Sequence, residues 1–357
     1  MADSIPPLGG RGRVYIAYTG GTIGMARRDD GSYAPASGYL AELMAGLPEL
    51  RDPRAPEYVV HEYPELRDSA TMTPADWTAI AEDLAARYGE YDGFVVLHGT
   101  DTMAYTASAL AFMLRGLGKP VVLTGAQIPL CEVRSDAREN LITALLIAAR
   151  EAIPEVCLSF GSALLRGCRA VKVNASGLDA FASPNFPPLA QLGIGIEVDR
   201  RLVLPPPAPD APLSVQRIGP ARIGALRLFP GISPAMVAAV LEPLQGLVLE
   251  TYGSGNGPAG DPAFLAALAD ASARGVVIVN CTQCLRGRVD LEAYATGAAL
   301  AAAGVISGYD LTAEAALAKL YYLFSAGHEP AAVRELMGRS LRGELTPREV
   351  GGGRCEV

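Results

Sequence analysis

Histidine is nearly missing from this chain, with three in 357 residues, and that scarcity removes several chemistries at once. No HExxH or other histidine-rich cluster is present, so zinc-type hydrolysis has no ligand set to draw on. A serine elbow needs GxSxG, and the nearest approach, GISPA at 231–235, lacks the last glycine. Long hydrophobic runs are missing too. None reaches the roughly 18–20 residues of a membrane span, and the alanine-rich stretch 295–305 is shorter and broken by glycine. The opening residues, MADSIPPLGGRGR, lack the apolar core of a signal peptide and read as a loose tail. Positive charge is in deficit, with 30 Lys and Arg against 38 Asp and Glu and a formal net charge of −8. That balance argues against nucleic acid or an anionic membrane as partner. The six cysteines, without secretory features, read as reduced thiols of a cytoplasmic protein. Cys281 and Cys284 form a CxxC, but no second CxxC or nearby histidine completes a zinc site, so the pair reads as structural or incidental.

What is present is a strand–helix rhythm. Apolar runs at 14–18, 94–97, 121–123 and 156–160 end in TGGT, HGTDT, TGAQIP and GSALLRG. Between them, 74–88, 103–117 and 137–149 have the length and Ala/Leu content of helices. This alternation predicts a parallel-type sheet with helices on both faces. Proline removes donors and favours extended backbone, so PPPAPDAP within 204–222 marks a linker. Beyond it the rhythm resumes, with strands at 225–229, 247–250 and 276–280 and helices at 235–241, 262–273, 295–303, 313–324 and 330–341. The expected organisation is a tail (1–12), an N-terminal α/β domain (13–203), the linker (204–222), a smaller C-terminal α/β domain (223–345) and a second tail (346–357).

In open α/β sheets ligands sit beyond the carboxyl ends of the strands, where TGGT, HGTDT and TGAQ all fall. The turn GGTIG matches neither the dinucleotide nor the P-loop phosphate pattern. His98 stands at a strand end but, alone, reads as an orienting or packing residue. What survives is nucleophilic catalysis by threonine, with a base such as lysine and glycine-rich backbone to receive an oxyanion. Thr22 and Thr100 each have a plain alternative as helix caps. Two such sites on one sheet edge favour chemistry.

TGGTIG (19–24) followed by HGTDTMAYTASAL (98–110) resembles the paired signature of the bacterial L-asparaginases. The segments HEYPELRDSATMTPADW, TGAQIPL, LDAFASPN, TYGSGNGP, YATGAALAAAGVI and LRGELTP are similar to the cytoplasmic, type I branch over nearly the whole chain. The resemblance implies a flavodoxin-like N-terminal sheet and hydrolysis of L-asparagine to L-aspartate and ammonia, without metal or cofactor, by a homodimer or homotetramer. It implies Thr22, after Gly21, as the nucleophile of an acyl-enzyme, and Thr100, Asp101 and Lys172 as a second group. Lysine acts as a base only if its pKa falls from about 10.4; otherwise it orients, and both roles stay open here. Tyr33 matches the tyrosine of a mobile lid, and the polar RRDDGS before it suits a flexible cover. Asp68, Ser69 and Ala70 match the substrate-holding loop, with Ser69 taking the α-carboxylate and Asp101 the α-ammonium. Asn256 matches a residue that reaches a neighbour's site. The rivals are the asparaginase-like subunit of a tRNA amidotransferase and a two-lobed amino-acid-binding protein.

Three positions depart from relatives. Thr71 stands where aspartate is frequent, and Arg288 falls near the place of a glutamate that periplasmic relatives lend to the neighbouring subunit. In some type I relatives an arginine before YGxGN grips the carboxylate of an effector asparagine; here LVLETYGSGN puts Glu250 in its place. The swap removes a bidentate pair and adds like charge. Regulation of this kind commands about 1–3 kcal/mol, so velocity against asparagine is expected to be hyperbolic. A sigmoidal curve from pure protein would show an effector site that works without this arginine.

Overall fold

The computed structural model describes residues 11–346, so the tails expected at the two ends lie largely outside the described residues. The chain divides into two compact units, at Gly219 and Pro220. The first unit is built on an eight-stranded sheet: β1 (Arg13–Gly20), β2 (Glu57–Arg67), β3 (Gly93–Leu97), β4 (Val121–Thr124), β5 (Val156–Phe160), β6 (Ala163–Arg166), β7 (Ala190–Leu192) and β8 (Ile196–Val198). Its order is β8-β7-β6-β5-β4-β3-β1-β2. Strands β2, β1, β3, β4 and β5 are parallel, whereas β6, β7 and β8 extend the edge antiparallel. The parallel half has the flavodoxin-like order, whose switch point lies between β1 and β3.

Side chains alternate across a strand. Val14, Ile16 and Tyr18 therefore face one layer, with α1 (Tyr39–Gly46) and α4 (Ala137–Arg150). Tyr15 faces the other way and donates its hydroxyl to Asp83 of α2 (Pro74–Ala86), which packs with α3 (Met103–Met113). Burying side chains of this size contributes about 1.5–3 kcal/mol each, enough to pin β1 and the turn at its end.

The observed elements differ from the sequence expectation in instructive places. Strand β2 has no buried run; it is a half-exposed edge strand with Pro64 inside, tolerated where the register slips between Tyr18 and Gly20. Helix α3 stops at Met113, because Leu114–Arg115 pairs antiparallel with Ser214–Val215 of the proline-rich segment. That segment is strapped to the first unit: Gln216 N–H donates to Met113 O at 2.9 Å and Ile218 N–H to Thr78 Oγ1 at 3.3 Å.

The second unit is a four-stranded parallel sheet of β9 (Ile223–Arg227), β10 (Gly246–Thr251), β11 (Val277–Thr282) and β12 (Ile306–Ser307). Helices α5 (Pro234–Leu241), α6 (Pro262–Ala273), α7 (Ala295–Ala302), α8 (Ala313–Ser325) and α9 (Pro330–Met337) cover it. The stretch 341–346 is tied in by a fully buried Lys319–Glu344 ion pair at 2.6 Å. Glu344 also accepts from the Leu341 and Arg342 N–H groups.

Candidate active site

Strand β1 lies between β2 and β3, so the turns at their carboxyl ends are neighbours. TGGT is pressed between DSA after β2 and HGTDT after β3. Gly20 and Gly21 have φ of +124° and +86°, where side-chain-bearing residues are strained. A Cβ on Gly20 would stand 2.2 Å from Arg67 O, and one on Gly21 would stand 2.4 Å from Gly99 N. The glycines are there because backbone meets backbone.

The two threonines of TGGT are used differently. Thr19 is buried and donates to Leu97 O at 2.9 Å, lashing β1 to β3. Thr22 opens the 3-10 turn Thr22–Gly24 and is half-buried. Asp68 accepts from Ala70 N–H at 2.9 Å and so caps the turn Ser69–Thr71. Thr71, the departure from relatives, closes the same turn by donating to Asp68 O at 2.8 Å. Ser69 is buried against Gly99, and its carbonyl accepts from Thr102 Oγ1 at 2.7 Å.

Thr100, Asp101 and Lys172 come together. Lys172 reaches Thr100 Oγ1 at 2.8 Å and Asp101 Oδ1 at 2.7 Å. A sharp 3-10 turn, Gly167–Arg169, feeds the short strand Val171–Lys172, which pairs with Phe181–Ala182 and delivers the lysine. A fourth member went unnoticed in the sequence: Gln127, from TGAQ at the end of β4. Its Nε2 donates to Ala175 O and Gly177 O at 3.2 and 3.1 Å, which turns Oε1 toward Thr100 at 3.1 Å. Thr100 therefore donates to Gln127, and its free lone pair faces Lys172 as acceptor. In this arrangement the lysine donates to both partners. The Lys172 side chain is 18% exposed and Asp101 65%, so the lysine sits inside and the carboxylate reaches out. The position of Gln127 at a third strand end was the available signal.

His98 is fully buried behind the same turn. Its Nδ1 lies 2.7 Å from Gly99 O, and its Nε2 2.9 Å from Thr106 Oγ1. Burial pushes its pKa down to about 4.

Tyr33 sits on the hairpin of Met25–Arg27 and Tyr33–Pro35. Its hydroxyl donates to Glu132 at 2.7 Å rather than to a threonine, and that bond raises the phenol's pKa. The intervening turn is ordered: Asp30 accepts from Ser32 N–H at 2.9 Å, and Arg28 N–H donates to Ser32 O at 2.8 Å. Asn256 belongs to the second unit, where it bridges to Tyr252 and accepts from the Thr296 hydroxyl. In that unit Glu250 is paired across the sheet with Arg227 at 3.4 Å. Among the described residues no three His, Cys, Asp or Glu side chains converge to hold a metal ion.

Residues 13–204 match the family model "Asparaginase, N-terminal" and residues 222–337 match "Glutaminase/Asparaginase C-terminal domain". The chain belongs to the asparaginase family. Within the asparaginase family it is 54% identical to L-asparaginase 1 of Escherichia coli strain K12, over 94% of this chain and 98% of that protein. The crystal structure of L-asparaginase I from Vibrio cholerae superposes with a TM-score of 0.87 at 50% identity, covering 94% of this chain and 100% of that one. The thermostable L-asparaginase from Thermococcus kodakarensis superposes with a TM-score of 0.85 at 35% identity, covering 94% of this chain and 99% of that one. The two-domain α/β fold is thus that of asparaginases.

Proposed function

We propose that the protein is an L-asparagine amidohydrolase acting through a threonine acyl-enzyme. The observation that carries this reading is the Thr100–Lys172–Asp101 hydrogen-bonded group at the switch point, one strand from the half-buried Thr22. Thr22 Oγ attacks the side-chain amide carbon, and its proton passes to the leaving nitrogen, which departs as ammonia. Water then attacks the acyl carbon, the bond to Thr22 Oγ breaks as the water proton returns to that oxygen, and aspartate is released, with Thr100 and Lys172 positioning the water. Ser69 meets the α-carboxylate. Asp101, with one oxygen engaged by Lys172, uses the other for the α-ammonium. Tyr33 closes over the substrate once its bond to Glu132 is released. Asn256 completes a neighbour's site within a homodimer or homotetramer. The cytoplasm is the proposed compartment; among the described residues no helix is long and apolar enough to cross a membrane.

Incubating the purified protein with free L-asparagine and assaying ammonia tests the reading. An amino-acid-binding protein would bind without turnover, and a component of a tRNA amidotransferase would need tRNA and a partner. Holding both charged ends leaves the side chain one reachable length, so the methylene of glutamine carries its carbonyl past Thr22. Asparagine is expected to be preferred by at least about tenfold in kcat/KM, since one methylene is worth about 1–3 kcal/mol. Equal rates on the two amides would overturn this placement.

A further inference from the structure

The buried chain behind HGTDT has one consistent polarity. A backbone carbonyl only accepts, so His98 Nδ1, at 2.7 Å from Gly99 O, carries the ring proton. Nε2 is then an acceptor and takes the Thr106 hydroxyl at 2.9 Å. Thr106 Oγ1 in turn accepts from the Trp77 indole N–H at 3.1 Å. Each donor and acceptor in the chain is matched.

Carbonyl and N–H of a planar trans peptide point in opposite directions. With Gly99 O turned to His98, the Thr100 N–H points away from the ring, and it donates to no backbone group among the described residues. Glycine at 99 leaves this peptide free to flip. It cannot simply be stiffened with a side chain, because a Cβ there would stand 2.6 Å from Ser69 Oγ. Such a peptide needs a tether, and His98 is in contact with it.

We propose that His98 is a positioning residue: its Nδ1–H holds the Gly99–Thr100 peptide so that the Thr100 N–H is presented to the oxyanion formed when Thr22 attacks. The inference rests on the reading of Thr22 and Thr100 given above. Neutrality of the ring is essential to it, because an imidazolium has no acceptor for Thr106. Burial supplies that neutrality, holding the pKa near 4. The charged group whose field opposes it is Asp76, which is itself paired with Arg67 at 2.8 Å.

The test compares His98→Leu, which removes the N–H, with His98→Asn, whose amide nitrogen takes the place of Nδ1. Removing an entire oxyanion donor costs about 10²–10³ in kcat, so a loosened one in His98→Leu is expected to cost about 10–100-fold, with KM for asparagine little changed. His98→Asn is expected to recover most of kcat. Wild-type kcat in folded His98→Leu, or equal losses in both variants at equal melting temperature, would overturn the proposal. Nitrogen-15 NMR of the wild-type ring covers the case in which a variant fails to fold. The neutral Nδ1–H tautomer is expected at pH 7, and an Nε2–H tautomer or an imidazolium would overturn the proposal. If Thr22→Ala retained activity, the site reading would fall on its own, while the ring tautomer would still be measured independently.

Discussion

Thr22→Ala is expected to lower asparagine turnover by at least about 10³-fold and leave the fold intact, the size of effect that removal of a catalytic nucleophile produces. The contrast with Thr19 is the reason. Thr19 spends its hydroxyl on Leu97 O, so its loss would be felt in stability. Thr22 is half-buried at the start of a 3-10 turn whose bond from Met25 N–H uses its backbone carbonyl. Alanine keeps that backbone bond and loses the attacking oxygen together with one half-buried methyl. Ammonia release measured beside a thermal melt separates the two effects. Retention of a tenth or more of the wild-type rate at an unchanged melting temperature would remove Thr22 from the mechanism.

Lys172→Met is expected to cost at least about 10² in kcat, within the range of a positioned proton-handling group. Methionine matches the apolar stem of lysine as far as Cε, so the pairing of the Val171–Lys172 strand with Phe181–Ala182 survives. What goes is the pair of donations to Thr100 at 2.8 Å and Asp101 at 2.7 Å. Thr100 keeps its bond to Gln127 but loses the second direction that fixes its lone pairs. Asp101 stays free to hold an α-ammonium, so the loss should fall on kcat more than on KM. Steady-state kinetics on asparagine checks this; a kcat close to wild type, or a change confined to KM, would make Lys172 a substrate-binding residue only.

Much of this was legible in the sequence because the signals were short-range. An apolar run that ends in Thr-Gly-Gly-Thr announces a buried strand and a turn in which backbone must approach closely. The same pattern, repeated at three strand ends, places the motifs on one edge of an α/β sheet. Strand β2 was not legible, because an edge strand needs no apolar run and its sequence reads half polar. The antiparallel strands β6, β7 and β8 were missed for a related reason: the last two have three residues each, too few to show a period.

Sequence alone determined the fold class, the family resemblance and the residue types brought to the sheet edge, since each of these depends on neighbours a few positions apart. Tertiary structure alone decided how those residues are used. The partner of Tyr33 is Glu132, 99 positions away. Lys172 reaches Thr100 across 72 positions, and Gln127 sets the direction of the Thr100 hydroxyl from the end of another strand. The proline-rich segment looks like a free linker until its backbone is found paired with Leu114–Arg115. The polarity of a hydrogen bond depends on what every other donor around it is doing, and chain topology, not local propensity, sets which donors meet.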